Sequence, residues 1–316
     1  SMGWGGLTKM IGNWYEPEKN GTVMGFISLS FQFGGVVATL FAGAIIAAGG
    51  GWREVFIYPP IALLVVFILS LLLAKDSPED LIEGTSFGKS SAGKQAIVSK
   101  ELKENQHEAK PIEIIKDLLA LPLFRQLLLF SFLTTFLRSV FFFWTPKLLV
   151  DIGMGTSNAI LKSALFPLLG CLGTILLGWY TDNHAKNGDR AKMMWIMLTG
   201  LIISLFVVSL LMSSSTPNND MIVVFVGLCG FFLLGPYSMS SGCLTLDIAG
   251  AKAAGSATGM IDGLGYIGGA LAVWSAGALS DHLGWSQVLM FLAGCALLAT
   301  FSAFKMSRTF QAIAKK

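Results

Sequence analysis

The sequence predicts an all-α, polytopic membrane protein whose helices fall into two unequal groups, and three observations predict it. Hydrophobic residues fill 53% of the 316 positions and charged residues only 13%, with a mean hydropathy of +0.67. Water-soluble domains carry about 25% charged residues. The apolar residues are gathered into blocks of about 20, the length of helix that crosses a hydrocarbon core. The Lys and Arg residues lie almost wholly between those blocks, as loop residues of a membrane protein do.

Complete spans are read at roughly 23–49, 55–74, 125–148, 159–180, 193–212, 221–247, 257–279 and 286–306. Residues 3–15 read as the tail end of a further helix. From Lys75 to Lys116 the chain is polar, charged and rich in Ser, Gly and Lys, the composition of a linker. It closes in an amphipathic piece at Pro111–Leu119. The expected division is 1–74 for the end of an N-terminal helical bundle (partial helix 4, then helices 5 and 6), 75–118 for a cytoplasmic linker, and 119–316 for a C-terminal six-helix bundle. With the linker inside, Arg53, Lys147 and Lys162 are the basic residues left in outer loops, and Arg138 lies within a span. The rest, Lys315 and Lys316 included, fall on the cytoplasmic side. Six spans after such a linker imply six before it, as in transporters built from two structural repeats. The N-terminal bundle is therefore expected to be incomplete by about three and a half helices, and residues 1–316 alone are not expected to transport.

Net charge is +3, too small to argue for a nucleic-acid partner. Cys171, Cys229, Cys243 and Cys295 each sit inside an apolar block with no Cys-x-x-Cys pair, and His107, His184 and His282 are dispersed. Neither a disulfide framework nor a metal site is indicated. With no nucleophile–base constellation and no Walker loop, the chain reads as no enzyme, and no cofactor is expected.

Charges inside a span are costly, about 2.5–3.5 kcal/mol at a helix centre, so each marks a candidate site. Arg138, Asp247 and Asp262 are the charged residues well inside spans. Arg138 shares a helical face with Ser131, Thr134, Thr135 and Thr145, a polar seam along a Phe- and Leu-rich helix. Its planar fork of donors suits phosphate or carboxylate and stays charged when desolvated. Two readings stay open: Arg138 contacts the substrate, or it pairs with an acid such as Asp262. Asp262 reads either as a proton or ion carrier or as that counter-charge, with Tyr266 one turn further on the same face. Gly255, Gly259 and Gly263, and again Gly265 and Gly269, recur every fourth residue and allow close helix packing. Tyr237, Ser241 and Thr245 form a second polar seam ending near Asp247, which lies near the helix end; Ser28, Gln32 and Thr39 form a third, which either faces the cavity or hydrogen-bonds a neighbouring helix. Gly178-Trp179-Tyr180-Thr181-Asp182, followed by Lys186, Gly188 and Arg190, joins two spans in a tight charged loop. Such a loop suits a gating contact, with its Asp at a helix N-terminus and its cations against acids; a plain solvated loop is the alternative.

At these residues the chain resembles the major facilitator superfamily and, within it, the organophosphate:phosphate antiporters. The Gly178…Asp182…Arg190 loop resembles a degenerate copy of the superfamily's cytoplasmic loop motif. Ser1-Met2-Gly3-Trp4-Gly5-Gly6 is similar to the Gly-Met-Gly-Trp-Pro-Pro found late in helix 4 of bacterial glycerol-phosphate transporters, with Gly5-Gly6 departing from Pro-Pro. Trp14-Tyr15-Glu16-Pro17…Gly21-Thr22 resembles the helix 4–5 junction of animal sugar-phosphate exchangers. Leu137-Arg138…Trp144-Thr145-Pro146 resembles helix 7, whose Arg binds substrate phosphate in bacterial members. Gly235-Pro236-Tyr237 and Ile261-Asp262-Gly263…Ile267-Gly268 resemble helices 10 and 11, and Tyr266 falls where the bacterial carrier places a cavity tyrosine. Where bacterial carriers have a helix 5 His this chain has Ser30, so proton coupling tied to that His does not carry over. The second phosphate-binding Arg of that family lies in helix 1.

The resemblance implies a two-bundle transporter that exchanges a sugar phosphate or glycerol phosphate for inorganic phosphate by alternating access. It implies small anionic phosphorylated substrates and phosphate as partners, a monomer in the lipid bilayer, and substrate contacts at Arg138 and Tyr266; Asp262, Tyr237 and Gln32 join them as candidates from the buried charge and the polar seams. Gly178, Asp182 and Arg190 become the gating loop. An ion-coupled carboxylate symporter and a transporter-like membrane sensor of a phosphorylated sugar are the alternatives.

Overall fold

The structure is a computed structural model that describes residues 2–15, 19, 22–30, 33–34, 41, 45, 52–73, 111–184, 189–214 and 218–314. Among these the regular elements are helices, with no strand. In chain order they are α1 (Met2–Trp14), α2 (Trp52–Leu73), α3 (Pro111–Ala120), α4 (Pro122–Asp151), α5 (Thr156–Ser163), α6 (Leu165–His184), α7 (Ala191–Met212), α8 (Asn219–Ser240), α9 (Cys243–Leu283) and α10 (Trp285–Ala314). Residues 22–30 are helical as well. In hydrocarbon every backbone N–H and C=O must be satisfied within its own segment, and a helix does so.

Local chemistry sets the ends. Pro122 begins α4, where its missing N–H has no helical partner to lose. Gly153, with φ +93°, follows its last turn. The Asn218 side chain accepts from the Met221 N–H at 3.2 Å and caps α8. Gly284, with φ +82°, turns the chain from α9 into α10.

Six helices among the described residues are long and apolar enough to cross a membrane. They match the spans read at 55–74, 125–148, 159–180, 193–212, 221–247 and 286–306. The read span 23–49 falls largely outside the described residues, as does the linker up to residue 110. The read span at 257–279 is helical within α9 but is not one of the six; its glycines and Asp262 dilute its apolar content. The α8 span does not run unbroken: its helix opens at Ser241–Gly242, resumes as the start of α9, and turns again at Gly250, where φ is +71°.

The bundle is held by backbone approach as much as by apolar side chains. α6 crosses α8 so closely that a Cβ on Gly173 would lie 2.0 Å from the Phe231 carbonyl oxygen, and one on Gly230 2.0 Å from that of Phe166. Only glycine fits there. α9 packs on α4, and the Trp144 indole N–H donates to the Val273 carbonyl at 3.1 Å. α10 packs on α7 and α4, with the Ser302 hydroxyl donating to the Gln126 carbonyl at 3.0 Å. At one end of α4 the Trp285 indole and the Lys147 ammonium both donate to Asp151, each at 2.7 Å.

The first residues pack on the rest at one end of the bundle. α1 lies along α9, where a Cβ on Gly5 would sit 3.3 Å from the Gly255 carbonyl oxygen. The helical run 22–30 lies on α6, where a Cβ on Gly25 would be 3.1 Å from the Thr174 carbonyl oxygen and 3.8 Å from Gly178 Cα.

Candidate functional site

Arg138 sits mid-way along α4 and is 8% exposed. Its guanidinium carbon lies 5.0 Å from the Phe142 ring centre, one turn further along α4, and 4.8 Å from the Tyr237 ring centre on α8. Two aromatic rings thus hold a desolvated cation where α4 meets α8. Stacking uses the faces of a guanidinium; its N–H edge is the part that recognises planar or tetrahedral oxyanions.

Tyr237 is half-buried and lies within electrostatic reach of Arg138, Tyr266 and Asp262 together. Asp262 is half-buried on α9 beside the Ser241 hydroxyl, at the opening of the α8 span. Tyr266 is 52% exposed. Arg138, Tyr237, Asp262 and Tyr266 therefore share one neighbourhood, while Gln32 and Thr39 lie outside the described residues. Ser28 is buried, with no partner for its hydroxyl among the described residues.

The polar seam expected beside Arg138 is engaged elsewhere. Thr134 and Thr145 donate to the carbonyls of Phe130 and Phe141 in their own helix, at 2.9 and 2.5 Å. Ser131 reaches the Ile261 carbonyl at 3.5 Å. A Cβ on Gly265 would meet the Thr135 hydroxyl at 2.8 Å, and one on Gly269 the Ser139 hydroxyl at 2.8 Å. Hydroxyls in an apolar helix satisfy themselves on the preceding turn or on a close neighbour; here the stripe marks where α9 packs rather than a ligand face. The Gly repeat behaves the same way in part. Gly265 and Gly269 pack tightly on α4, whereas a Cβ on Gly259 or Gly263 would meet no described atom within 4 Å.

The ion pairs within 4 Å among the described residues are Lys147–Asp151, Lys162–Asp220, Arg190–Asp182 and Arg190–Asp247. None joins Arg138 to Asp262. Arg190, just before α7, is 5% exposed. Its Nε donates to Asp247 at 3.0 Å, and Nη1 donates to Asp182 and, at 3.2 Å, to the Thr181 hydroxyl. Burial disfavours its charged form, but the Asp247 carboxylate and then Asp182 outweigh that and hold its pKa above the ordinary arginine value. Asp182 also accepts the Thr22 backbone N–H at 2.5 Å, at the start of the run 22–30. Gly178, one turn earlier on α6, also lies against that run, its Cα 3.8 Å from where a Cβ on Gly25 would sit. Lys186 and Gly188 lie outside the described residues.

Asp182 and Arg190 were legible as a loop motif. Their contacts with Thr181, Thr22 and Asp247 were not. Asp247 was visible as a span-end acid 57 residues from Arg190, and no local pattern links the two.

Apolar spanning helices, glycine-mediated crossings and charged residues held inside them define an integral, multi-pass, all-helical membrane protein. Residues 1–273 match the family model described as Major Facilitator Superfamily, and the chain belongs to that superfamily. Among its relatives is a probable hexose phosphate transport protein of Chlamydia trachomatis, 26% identical over 320 residues, covering 94% of this chain and 66% of that protein. The glycerol-3-phosphate transporter of Bacillus subtilis is 26% identical over 307 residues, covering 96% and 67%. The glucose-6-phosphate exchanger SLC37A2 of Danio rerio is 25% identical over 329 residues, covering 95% and 63%. The chain thus spans about two thirds of the length of these relatives, each of which carries the name of a transporter or an exchanger.

Proposed function

We propose that the protein exchanges a phosphorylated metabolite, a sugar phosphate or glycerol phosphate, for inorganic phosphate by alternating access. The observation that carries this reading is Arg138, a buried guanidinium between Phe142 and Tyr237 inside the membrane-spanning bundle. A cation kept there is costly unless it meets an anion, and its fork binds phosphate bidentately. The names of the relatives support phosphorylated metabolites as the anion. Tyr237 and Tyr266 complete the contacts, and no covalent step is involved. Transport follows from rocking of the two halves about this site.

The Asp182–Arg190–Asp247 network is the gate at one end. It joins α6 to the run 22–30 through Thr22, so the ion pairs hold the two halves together when that end is closed. That end, the linker and the C-terminus are cytoplasmic, on the distribution of basic loop residues. Single cysteines at Ser91 and Ser214 should then label from opposite sides, and labelling of both from outside defeats this orientation.

The experiment that tests the function is counterflow of labelled phosphate in liposomes holding the full-length protein, with organic phosphates and carboxylates as the opposing solutes. Exchange driven by organic phosphates and not by carboxylates is expected. Flux driven by carboxylates with an ion gradient, or binding without flux, would replace the exchanger with a symporter or a sensor.

A further inference from the structure

Phosphate chemistry leaves one face of the candidate site unused. Gly259, Asp262, Gly263 and Tyr266 recur at i, i+3, i+4 and i+7, so they lie along one face of α9. Among the described residues nothing packs on that face: a Cβ on Gly259 or Gly263 would meet no described atom within 4 Å, and Tyr266 is exposed. The other side of the helix is closed, with Gly265, Gly268 and Gly269 against Thr135, Phe132 and Ser139 of α4. Asp262 stands on the first face, beside the Ser241 hydroxyl.

Five other acids of the bundle have visible partners, while Asp117 and Asp281 are exposed. Asp151, Asp182, Asp220 and Asp247 are each in an ion pair. Asp189 accepts from the Lys192 N–H, the Ser307 hydroxyl and the Gln311 amide. Asp262 is in none of the ion pairs among the described residues, yet it lies within electrostatic reach of the tyrosine that stacks on Arg138. A carboxylate cannot be a second phosphate ligand, because the two anions repel. An organic phosphate bound between Arg138 and Asp262 is therefore oriented, with its phosphate on the guanidinium and its other end toward the carboxylate. What an ionised carboxylate takes at that end is hydrogen-bond donors, and it can accept from two neighbouring hydroxyls at once.

We propose that Asp262, with Ser241 beside it, is the specificity-determining end of the site, recognising the hydroxyl groups of the organic moiety. The favoured substrates are then polyhydroxylated organic phosphates, sugar phosphates in preference to glycerol phosphate. The inference rests on the Arg138 reading above. Inorganic phosphate has no organic end and serves as the internal reference.

The test is competition against labelled phosphate uptake in liposomes holding the full-length protein. The competitors are inorganic phosphate, glycerol 3-phosphate, glucose 6-phosphate and its monodeoxy analogues. For Asp262→Asn and Asp262→Ala, the preference for glucose 6-phosphate over inorganic phosphate should fall about tenfold or more, the loss expected for a charge-assisted hydrogen bond. Deoxy analogues that compete poorly against the parent should lose their disadvantage in the variants. If the two affinities fall together, Asp262 is a counter-charge within the bundle and the inference is overturned. An unchanged preference overturns it equally, since the carboxylate then lies off the substrate. If the parent protein itself takes up no phosphate, the Arg138 reading fails, and the inference fails with it.

Discussion

Two regions of this molecule hold charge inside a membrane protein in opposite ways. At the turn between α6 and α7, Arg190 is clamped by Asp182, Asp247 and Thr181, and Asp182 also takes the Thr22 N–H. In the interior, Arg138 and Asp262 share a neighbourhood around Tyr237 with no ion pair joining them. Charges brought into contact neutralise each other and fix a conformation. Arg138 instead meets the rings of Phe142 and Tyr237, and aromatic faces do not neutralise a charge as a carboxylate does. The contrast sets the proposed gate apart from the proposed binding site more sharply than residue type does, since both use one Arg and one or two Asp.

The comparison can be broken first at the proposed gate. Arg190→Ala leaves two largely buried carboxylates without their cation, and removing one partner of such a pair typically costs about 3–5 kcal/mol. Thermal unfolding in detergent should register that loss, and a variant as stable as its parent would end the distinction. Arg138→Ala should do less to stability and more to ligand, weakening phosphate about 10- to 150-fold through a lost charge-assisted contact. Arg138→Lys keeps the charge without the fork and should recover only part of that. If the double variant Arg138→Ala/Asp262→Ala binds phosphate in calorimetry as the parent does, Arg138 was only a counter-charge.

A finer cut is Asp182→Asn, which keeps an acceptor for Thr22 while removing the charge on a helix start, worth about 0.3–1 kcal/mol. Turnover should slow by up to about fivefold with equilibrium binding nearly intact; a large loss of binding at normal turnover moves Asp182 into the site. The smallest effect belongs to Lys162–Asp220, a solvent-exposed pair at 2.6 Å. Lys162→Ala should change stability by less than about 1 kcal/mol, and a larger loss would mean that exposure does not separate weak pairs from the gate.

Residue by residue, the sequence was most informative where a choice is forced locally. A span must be apolar for about 20 residues, and a Gly-to-Arg loop pattern is contiguous, so the helices and the Asp182 turn could be read directly. The cost of an intramembrane charge singled out Arg138 and Asp262 in the same way. The hydroxyl stripe on α4 misled, because helical periodicity gives a face but not what faces it. Ser131 and Thr135 turned out to meet Ile261 and Gly265 of α9, and Thr134 and Thr145 carbonyls of their own helix.

By itself, then, the sequence determined the membrane as solvent, the helical class and the few charges worth explaining, because hydrophobicity and insertion cost act on each segment alone. Only the tertiary structure decided the partners: Asp247 for Arg190, the rings of Phe142 and Tyr237 for Arg138, and the Ser241 hydroxyl for Asp262. Those depend on how closely helices far apart in the chain can cross. The crossings are set by glycines such as Gly173 and Gly230, whose backbone contacts no local pattern encodes.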